Sequence, residues 1–208
     1  MHFLRNSMRI AVLAIVVALC GCASQSSHSD ADEAFGRLAD EFIKGHLKWR
    51  PAMGTYLGLH EYDGRVTDLS KGSIDAEVTR LKDFEMALAE LKGRRLNRQN
   101  DYDLRILQSA VRSELFRLVD MDAYHKNPMS YADVIDVNIY IKRNFAPLEQ
   151  RVRSIIAIEK QAANIMANAR ANLEESLGKP YVETAMDVAP GSGATGVHTI
   201  AVAAAFTA

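Results

Sequence analysis

Cysteine is scarce in this sequence, and its distribution excludes several kinds of chemistry. The chain has two cysteines, Cys20 and Cys22, and none after position 22. The main body therefore cannot form a disulfide framework or a cysteine-based metal site. Charge of one sign is also lacking, because the formal net charge is only −1. That balance gives no electrostatic reason to expect nucleic acid as a partner.

The N-terminus carries an apolar run that is short for a membrane span. This run, Ile10 to Leu19, follows Arg5 and Arg9, and no acidic residue precedes it. A basic stretch followed by about 7–15 apolar residues is typical of a secretory signal. A helix that spans a bilayer needs roughly 18 or more apolar residues. The pattern therefore predicts export rather than a transmembrane anchor.

The residues after this run, Leu19-Cys20-Gly21-Cys22, resemble the lipobox of bacterial lipoproteins. The resemblance implies cleavage before Cys22 and a diacylglycerol on its sulfur, with residues 1–21 as signal peptide and 22–30 as a flexible tether. The alternative is an ordinary signal peptide cut near Ala23. Removal of residues 1–21 leaves 23 basic and 26 acidic residues, a net charge of −3. The resemblance implies a lipid-anchored protein of the cell envelope, in the outer membrane and facing the periplasm.

Apolar residues recur at helical spacing through most of the remaining chain, which is long enough for one domain with a sizeable core. We predict an all-α fold, an antiparallel array of about five to six helices within residues 31–189. One stripe, in a single long helix after Pro147, includes Leu148, Val152 and Ile156. The segment 131–143 is rich in β-branched residues and could be a strand in isolation, but its neighbours favour a helix. We expect Ser73 as the N-cap of the second long helix, and a glycine-rich loop over residues 54–64.

The last residues, 190–208, differ from the rest. They contain no Asp, Glu, Lys or Arg and show no amphipathic period. This irregular tail suggests a fold that is incomplete at the C-terminus. Gly191 to Gly196 matches the GxGxxG pattern of dinucleotide sites, but that motif needs a preceding strand and a following helix, which the sequence does not indicate here.

Three groups of residues resemble the N-terminal half of the bacterial DUF885 family. They are Pro51–Gly64 with Asp68 and Ser70, Asn127-Pro128 with Tyr131, and Pro147–Arg151 leading to Ala169–Leu173. The resemblance implies a large, mostly helical, exported protein related to zinc metallopeptidases. It also implies that the zinc ligands belong to a C-terminal half that this sequence lacks, and that the complete protein has a peptide substrate.

The residues themselves predict no catalytic or metal-binding group within this chain. A metallopeptidase helix places two histidines one turn apart beside a glutamate, whereas His60-Glu61 is followed by Gly64 at the position of the second histidine. We expect no cofactor here. His60, Tyr62 and Asp63 are possible cleft-lining residues of the complete protein. The simpler alternative is that Asp63-Gly64 forms a turn and Tyr62 packs.

Two functions follow from these observations. The first is an exported lipoprotein that is the truncated N-terminal part of a metallopeptidase-like protein and lacks catalysis by itself. The second is a self-contained helical lipoprotein of the envelope with a binding or scaffolding role.

Overall fold

The computed structural model describes residues 30–188. The predicted signal peptide, Cys22, most of the tether and the glycine-rich motif of the tail therefore lie outside the described residues. Within residues 30–188 every regular element is helical and no strand occurs. The all-α prediction is confirmed. No helix in this range is long and apolar enough to cross a membrane.

Six helices of ten residues or more form the framework. They are α1 (residues 30–49), α3 (Lys71–Glu90), α4 (Arg98–Leu115), α8 (Leu148–Glu159), α9 (Ala162–Asn172) and α10 (Lys179–Val188). Four short helices lie between them: α2 (Pro51–Tyr56), α5 (Ala123–Lys126), α6 (Met129–Ala132) and α7 (Asn138–Lys142). Two 3₁₀ turns cover His60–Tyr62 and Asp133–Ile135, and a π-helical turn, Phe116–Asp120, extends α4.

Helices α3 and α4 form a hairpin at the centre of the core. Leu81 and Leu88 of α3 and Val111 of α4 are completely buried, as their helical spacing predicts. Ser70, not Ser73, is the N-cap of α3, because the Ser70 Oγ accepts a hydrogen bond from the Ser73 backbone N–H at 3.4 Å. The cap thus lies three residues before the expected one, which is the usual separation between a cap oxygen and the N–H that it binds.

Two predicted segments are divided more finely than their periodicity indicates. Residues 131–143 contain the end of α6, a 3₁₀ turn and α7, so the segment is helical, as expected, but not continuous. The predicted long helix after Pro147 is interrupted between α8 and α9. There the Gln161 side chain donates hydrogen bonds to the carbonyls of Gly64 (3.2 Å) and Ala157 (2.8 Å), which ties the break to a distant loop.

The apolar stripe of α8 does not face the core. Leu148, Val152 and Ile156 are 67%, 40% and 48% exposed, and their spacing of four residues places them on one face of the helix. The three residues thus form a stripe, as the sequence indicates, but the stripe lies on the exposed side of the helix. The side of α8 that packs inward carries Arg151 and Ile158.

A buried hydrogen-bond cluster joins the second half of the chain to the start of α3. The Tyr131 hydroxyl donates to the Tyr124 carbonyl at 2.8 Å, and the Asn172 amide donates to that hydroxyl and to the Leu69 carbonyl. Buried polar groups that satisfy one another in this way fix one arrangement of their segments. The cluster therefore holds α5, α6 and α9 in register with the segment before α3.

Candidate functional site

An open groove of about 480 Å³ lies between α2 and the segment 117–134. Helix α2 contributes Ala52, Met53 and Tyr56, and the segment after it contributes Val66 and Thr67. The facing residues come from the other half of the chain: Arg117, Tyr124, Asn127, Met129, Ser130, Asp133 and Val134. Since the two sides are far apart in sequence, the groove is a product of the tertiary fold.

Helix α2 is positioned by a close contact on its inner face. Pro51 occupies its first turn, where the missing N–H has no intrahelical partner to lose. Gly54 is buried against Tyr62, and a Cβ at position 54 would lie 2.5 Å from the Tyr62 ring. The inner face thus packs tightly, which leaves Met53 and Tyr56 exposed toward the groove. Residues 54–56 are accordingly helical, and the expected loop is confined to residues 57–64.

Two arginines that line the groove share one carboxylate. Arg50 Nη2 donates to Glu114 Oε2 at 2.9 Å, and Arg117 Nη2 donates to the same oxygen at 3.2 Å. Burial alone would raise the pKa of Glu114, but the charges of Arg50 and Arg117 outweigh it and hold that pKa below its usual value. Glu114 is therefore ionised at neutral pH, and the three groups together carry a net charge of +1.

The groove also contains an acidic group. Burial raises the pKa of Asp133, and the nearby charge of Asp136 raises it further. The Tyr56 hydroxyl donates to Asp136 Oδ2 at 2.8 Å; burial and this bond raise the pKa of Tyr56 to about 12. The groove is thus lined by the two arginines, by Asp133 and by apolar side chains such as Met53, Met129 and Val134.

The three predicted cleft residues lie on the loop that packs against α2. His60 Nδ1 is 3.1 Å from Asp63 Oδ2, and the His60 ring stacks on Phe145 with centroids 4.4 Å apart. Tyr62 packs on Gly54, on the face of α2 that does not line the groove. The structure brings His60 and Asp63 together, but none of the three lines the groove described above. Their role in the cleft of a complete protein stays a prediction.

The same loop is closed by a turn that only glycine adopts easily. Gly64 has φ = +74°, and a Cβ there would lie 3.2 Å from the Ala157 Cβ. The Gly64 N–H donates to the Tyr140 hydroxyl at 2.9 Å. The predicted Asp63-Gly64 turn and the packing of Tyr62 are therefore both present.

The described residues do not fit a zinc ion. Within residues 30–188, no group of three His, Cys, Asp or Glu side chains is arranged to hold a metal. His60 lies on a 3₁₀ turn rather than a long helix. Gly64 stands at the position where a metallopeptidase helix would carry its second histidine.

A second depression, of about 520 Å³, runs along the outside of α4. All its lining residues come from α4 and from Phe116, which directly follows it. Since no second element faces them, it offers a ligand one surface only, and the groove beside α2 is the better candidate site.

Sequence reasoning missed the arginine pair. Arg50 follows α1 and Arg117 follows α4, and neither belongs to a recognisable local motif. Their association depends on how α1 packs beside α4, for which the sequence carries no short-range signal.

The fold and groove define a helical domain with a ligand-sized cleft on its surface. Residues 51–200 match the family model described as a bacterial protein of unknown function (DUF885). Because the match covers more than half of the chain, the protein belongs to the DUF885 family. No curated protein matches it.

A solved structure of "a putative lipoprotein of unknown function from Shewanella oneidensis" has a similar fold. The TM-score is 0.66 at 20% sequence identity, over 83% of this chain and 34% of that protein. The likeness at this identity concerns the fold. The chain spans about a third of the length of that solved protein.

Proposed function

We propose that this protein is an exported lipoprotein of the cell envelope whose helical domain binds extended peptides in the groove beside α2. In this proposal the chain is the N-terminal part of a longer, metallopeptidase-like protein, and its groove forms one wall of the substrate cleft. Membership of DUF885 and the greater length of the similar solved protein support the proposal that the chain is part of a longer protein.

The groove is the observation that carries the proposal. Met53, Met129 and Val134 offer apolar contacts, while Asn127 and Ser130 offer hydrogen-bonding groups. Ligand sites usually combine a largely apolar lining with a few polar groups that fix orientation. An extended peptide presents both apolar side chains and a hydrogen-bonding backbone, and it matches this combination.

The proposal assigns no catalytic step to this chain. Residues 30–188 hold no group of three His, Cys, Asp or Glu side chains arranged for a metal, and in this proposal the zinc ligands belong to another part of the longer protein. Sequencing of the gene downstream, read in all three frames, tests this part. We expect a His-Glu zinc helix there. If the downstream region contained nothing but unrelated sequence, the result would favour the alternative of a self-contained scaffolding lipoprotein. The exposed apolar stripe of α8 also supports that alternative.

Attachment to the envelope rests on the lipobox-like sequence at Cys22. Several acyl chains hold a protein on a membrane where one would not, because each buried CH₂ contributes about 0.8 kcal/mol. The absence of Asp after Cys22 favours the outer membrane, with the domain in the periplasm.

Peptide binding is tested with the mature chain, residues 22–208, carrying Cys22→Ser so that it is soluble without lipid. Fluorescently labelled, unstructured peptides are titrated and followed by anisotropy. Ala52→Trp places a large side chain in the groove, and Ala89→Trp places it on the exposed side of α3 as a matched control. We expect the first variant to lose binding and the control to keep it, with unchanged far-UV circular dichroism in both. Equal binding by both variants would refute a peptide site in the groove.

A further inference from the structure

We propose that Arg50 and Arg117 bind the free C-terminal carboxylate of the peptide that occupies the groove. This inference rests on the proposed peptide-binding function and adds the class of peptide and the direction in which it lies. The peptide would end at the arginine pair, and the rest of it would extend over the apolar part of the groove.

The first argument is charge. Two guanidinium groups face a single carboxylate, Glu114, and all three side chains are only partly exposed, at 30%, 28% and 22% for Arg50, Arg117 and Glu114. One positive charge is thus left over in a partly desolvated position. A partly desolvated charge is stabilised by a counter-charge, and a ligand carboxylate would supply one.

The second argument is the pattern of unused donors. Each arginine directs one Nη2 to the same Glu114 oxygen, although a guanidinium carries five N–H donors. The Nε atoms of Arg50 and Arg117 are covered by the protein itself, so a ligand in the groove would not reach them. The Nη1 atoms make no hydrogen bond within residues 30–188, since the only bonds of the two side chains there are those from Nη2 to Glu114. The pair therefore keeps donors that Glu114 does not use.

Arg80 shows how one arginine pairs with one carboxylate, although its Nη1 is also buried without a partner in residues 30–188. Arg80 binds Glu77 through two parallel hydrogen bonds, Nε to Oε2 at 2.7 Å and Nη2 to Oε1 at 2.8 Å. That fork is the geometry in which arginine recognises a carboxylate most strongly. Arg80 and Glu77 neutralise each other, whereas Arg50 and Arg117 share one acceptor between them.

Other groove residues restrict the ligand. Arg117 lies 5.2 Å above the Tyr124 ring, a cation–π contact that orients its guanidinium. Asp133 lines the same groove and would repel a second negative charge. The preferred ligand therefore has one terminal carboxylate and an apolar body, without acidic side chains next to the terminus.

The test compares peptides that differ only at the C-terminus. One peptide has a free acid, one is amidated, and a third is amidated but carries an internal glutamate, which separates a terminal carboxylate from any carboxylate. Each is titrated into the mature chain, into Arg117→Gln and Arg117→Lys, and into Arg112→Gln. Arg112 is a matched control on α4, exposed and outside this groove.

We expect the free-acid peptide to bind at least tenfold more tightly than both amidated peptides. Arg117→Gln should remove this preference, Arg117→Lys should keep part of it, and the control should leave it intact, with all variants folded by circular dichroism. Equal affinity for acid and amide, with binding still lost in Ala52→Trp, would overturn the carboxylate site and leave the peptide groove standing. Absence of binding by every peptide would overturn both.

Discussion

Replacement of Tyr140 by phenylalanine tests how the loop beside the groove is held. The Tyr140 side chain is almost fully buried, and its hydroxyl accepts a hydrogen bond from the Gly64 N–H at 2.9 Å. The same hydroxyl lies 3.4 Å from Thr55 Oγ1 on α2. One oxygen therefore links α7 to both the loop and the helix that borders the groove.

The expected loss of folding stability comes from the Gly64 N–H, which loses its acceptor. Tyr140→Phe keeps the ring and its packing but leaves the Gly64 N–H buried without an acceptor, which costs about 1–3 kcal/mol. For a domain of this size, each kcal/mol lowers Tm by about 2–4 °C. We expect a loss of this size in the free energy of unfolding, measured by urea titration with far-UV circular dichroism at 222 nm.

Tyr102→Phe is the matched control, because Tyr102 is 44% exposed on α4 and its hydroxyl makes no hydrogen bond within residues 30–188. That variant should change stability by less than about 0.5 kcal/mol, as is usual for surface substitutions. If Tyr140→Phe were equally neutral, the loop would not depend on this hydroxyl and the account of its anchoring would be refuted.

Three further predictions concern the lipid, the pH response and the exposed stripe. Cells fed a radioactive fatty acid should label the protein, and Cys22→Ser should abolish the label; label retained in that variant would contradict the lipobox interpretation. Burial and the charge of Arg50 lower the pKa of His46 from 6.5, so the unfolded chain binds a proton first and stability should fall as pH drops below that value. Urea titrations at pH 7.5 and 5 should show a smaller difference for His46→Gln, and an unchanged difference would remove His46 as the cause. The α8 stripe should cause concentration-dependent association in light scattering that Val152→Glu with Ile156→Glu abolishes, whereas a monodisperse wild-type monomer would contradict this.

The helical spacing of apolar residues predicts most of the helices. It also predicts which faces are buried where two long helices pack together. Leu81 and Val111 are buried as their spacing predicts, because each belongs to a continuous stripe that another helix covers. The stripe of α8 has the same spacing and is exposed, since a pattern shows that residues share a face but not what covers that face. The break at Gln161 has no short-range signal either, and one of the carbonyls that its side chain binds there lies 97 residues away.

The candidate site was less accessible to sequence reasoning than the fold. His60, Tyr62 and Asp63 stand together in one sequence motif, and the structure places them in the loop that supports α2. Arg50 and Arg117 had no such local signal, and they became a candidate site only when the helices brought them to one carboxylate. The partners of Arg151 are equally hidden from the sequence: the side chain is buried and donates to the backbone carbonyls of Ala146 and Tyr140.

The central claim, that the groove beside α2 binds the C-terminal end of a peptide, is tested most directly by NMR. A free-acid peptide is titrated into the ¹⁵N-labelled mature chain carrying Cys22→Ser, and changes in backbone amide shifts are mapped. We expect the largest changes at groove residues such as Met53, Tyr56 and Met129, and little change around Ile106 on the outside of α4. Shifts that cluster outside the groove, or no shifts at peptide concentrations that saturate anisotropy, would contradict the account.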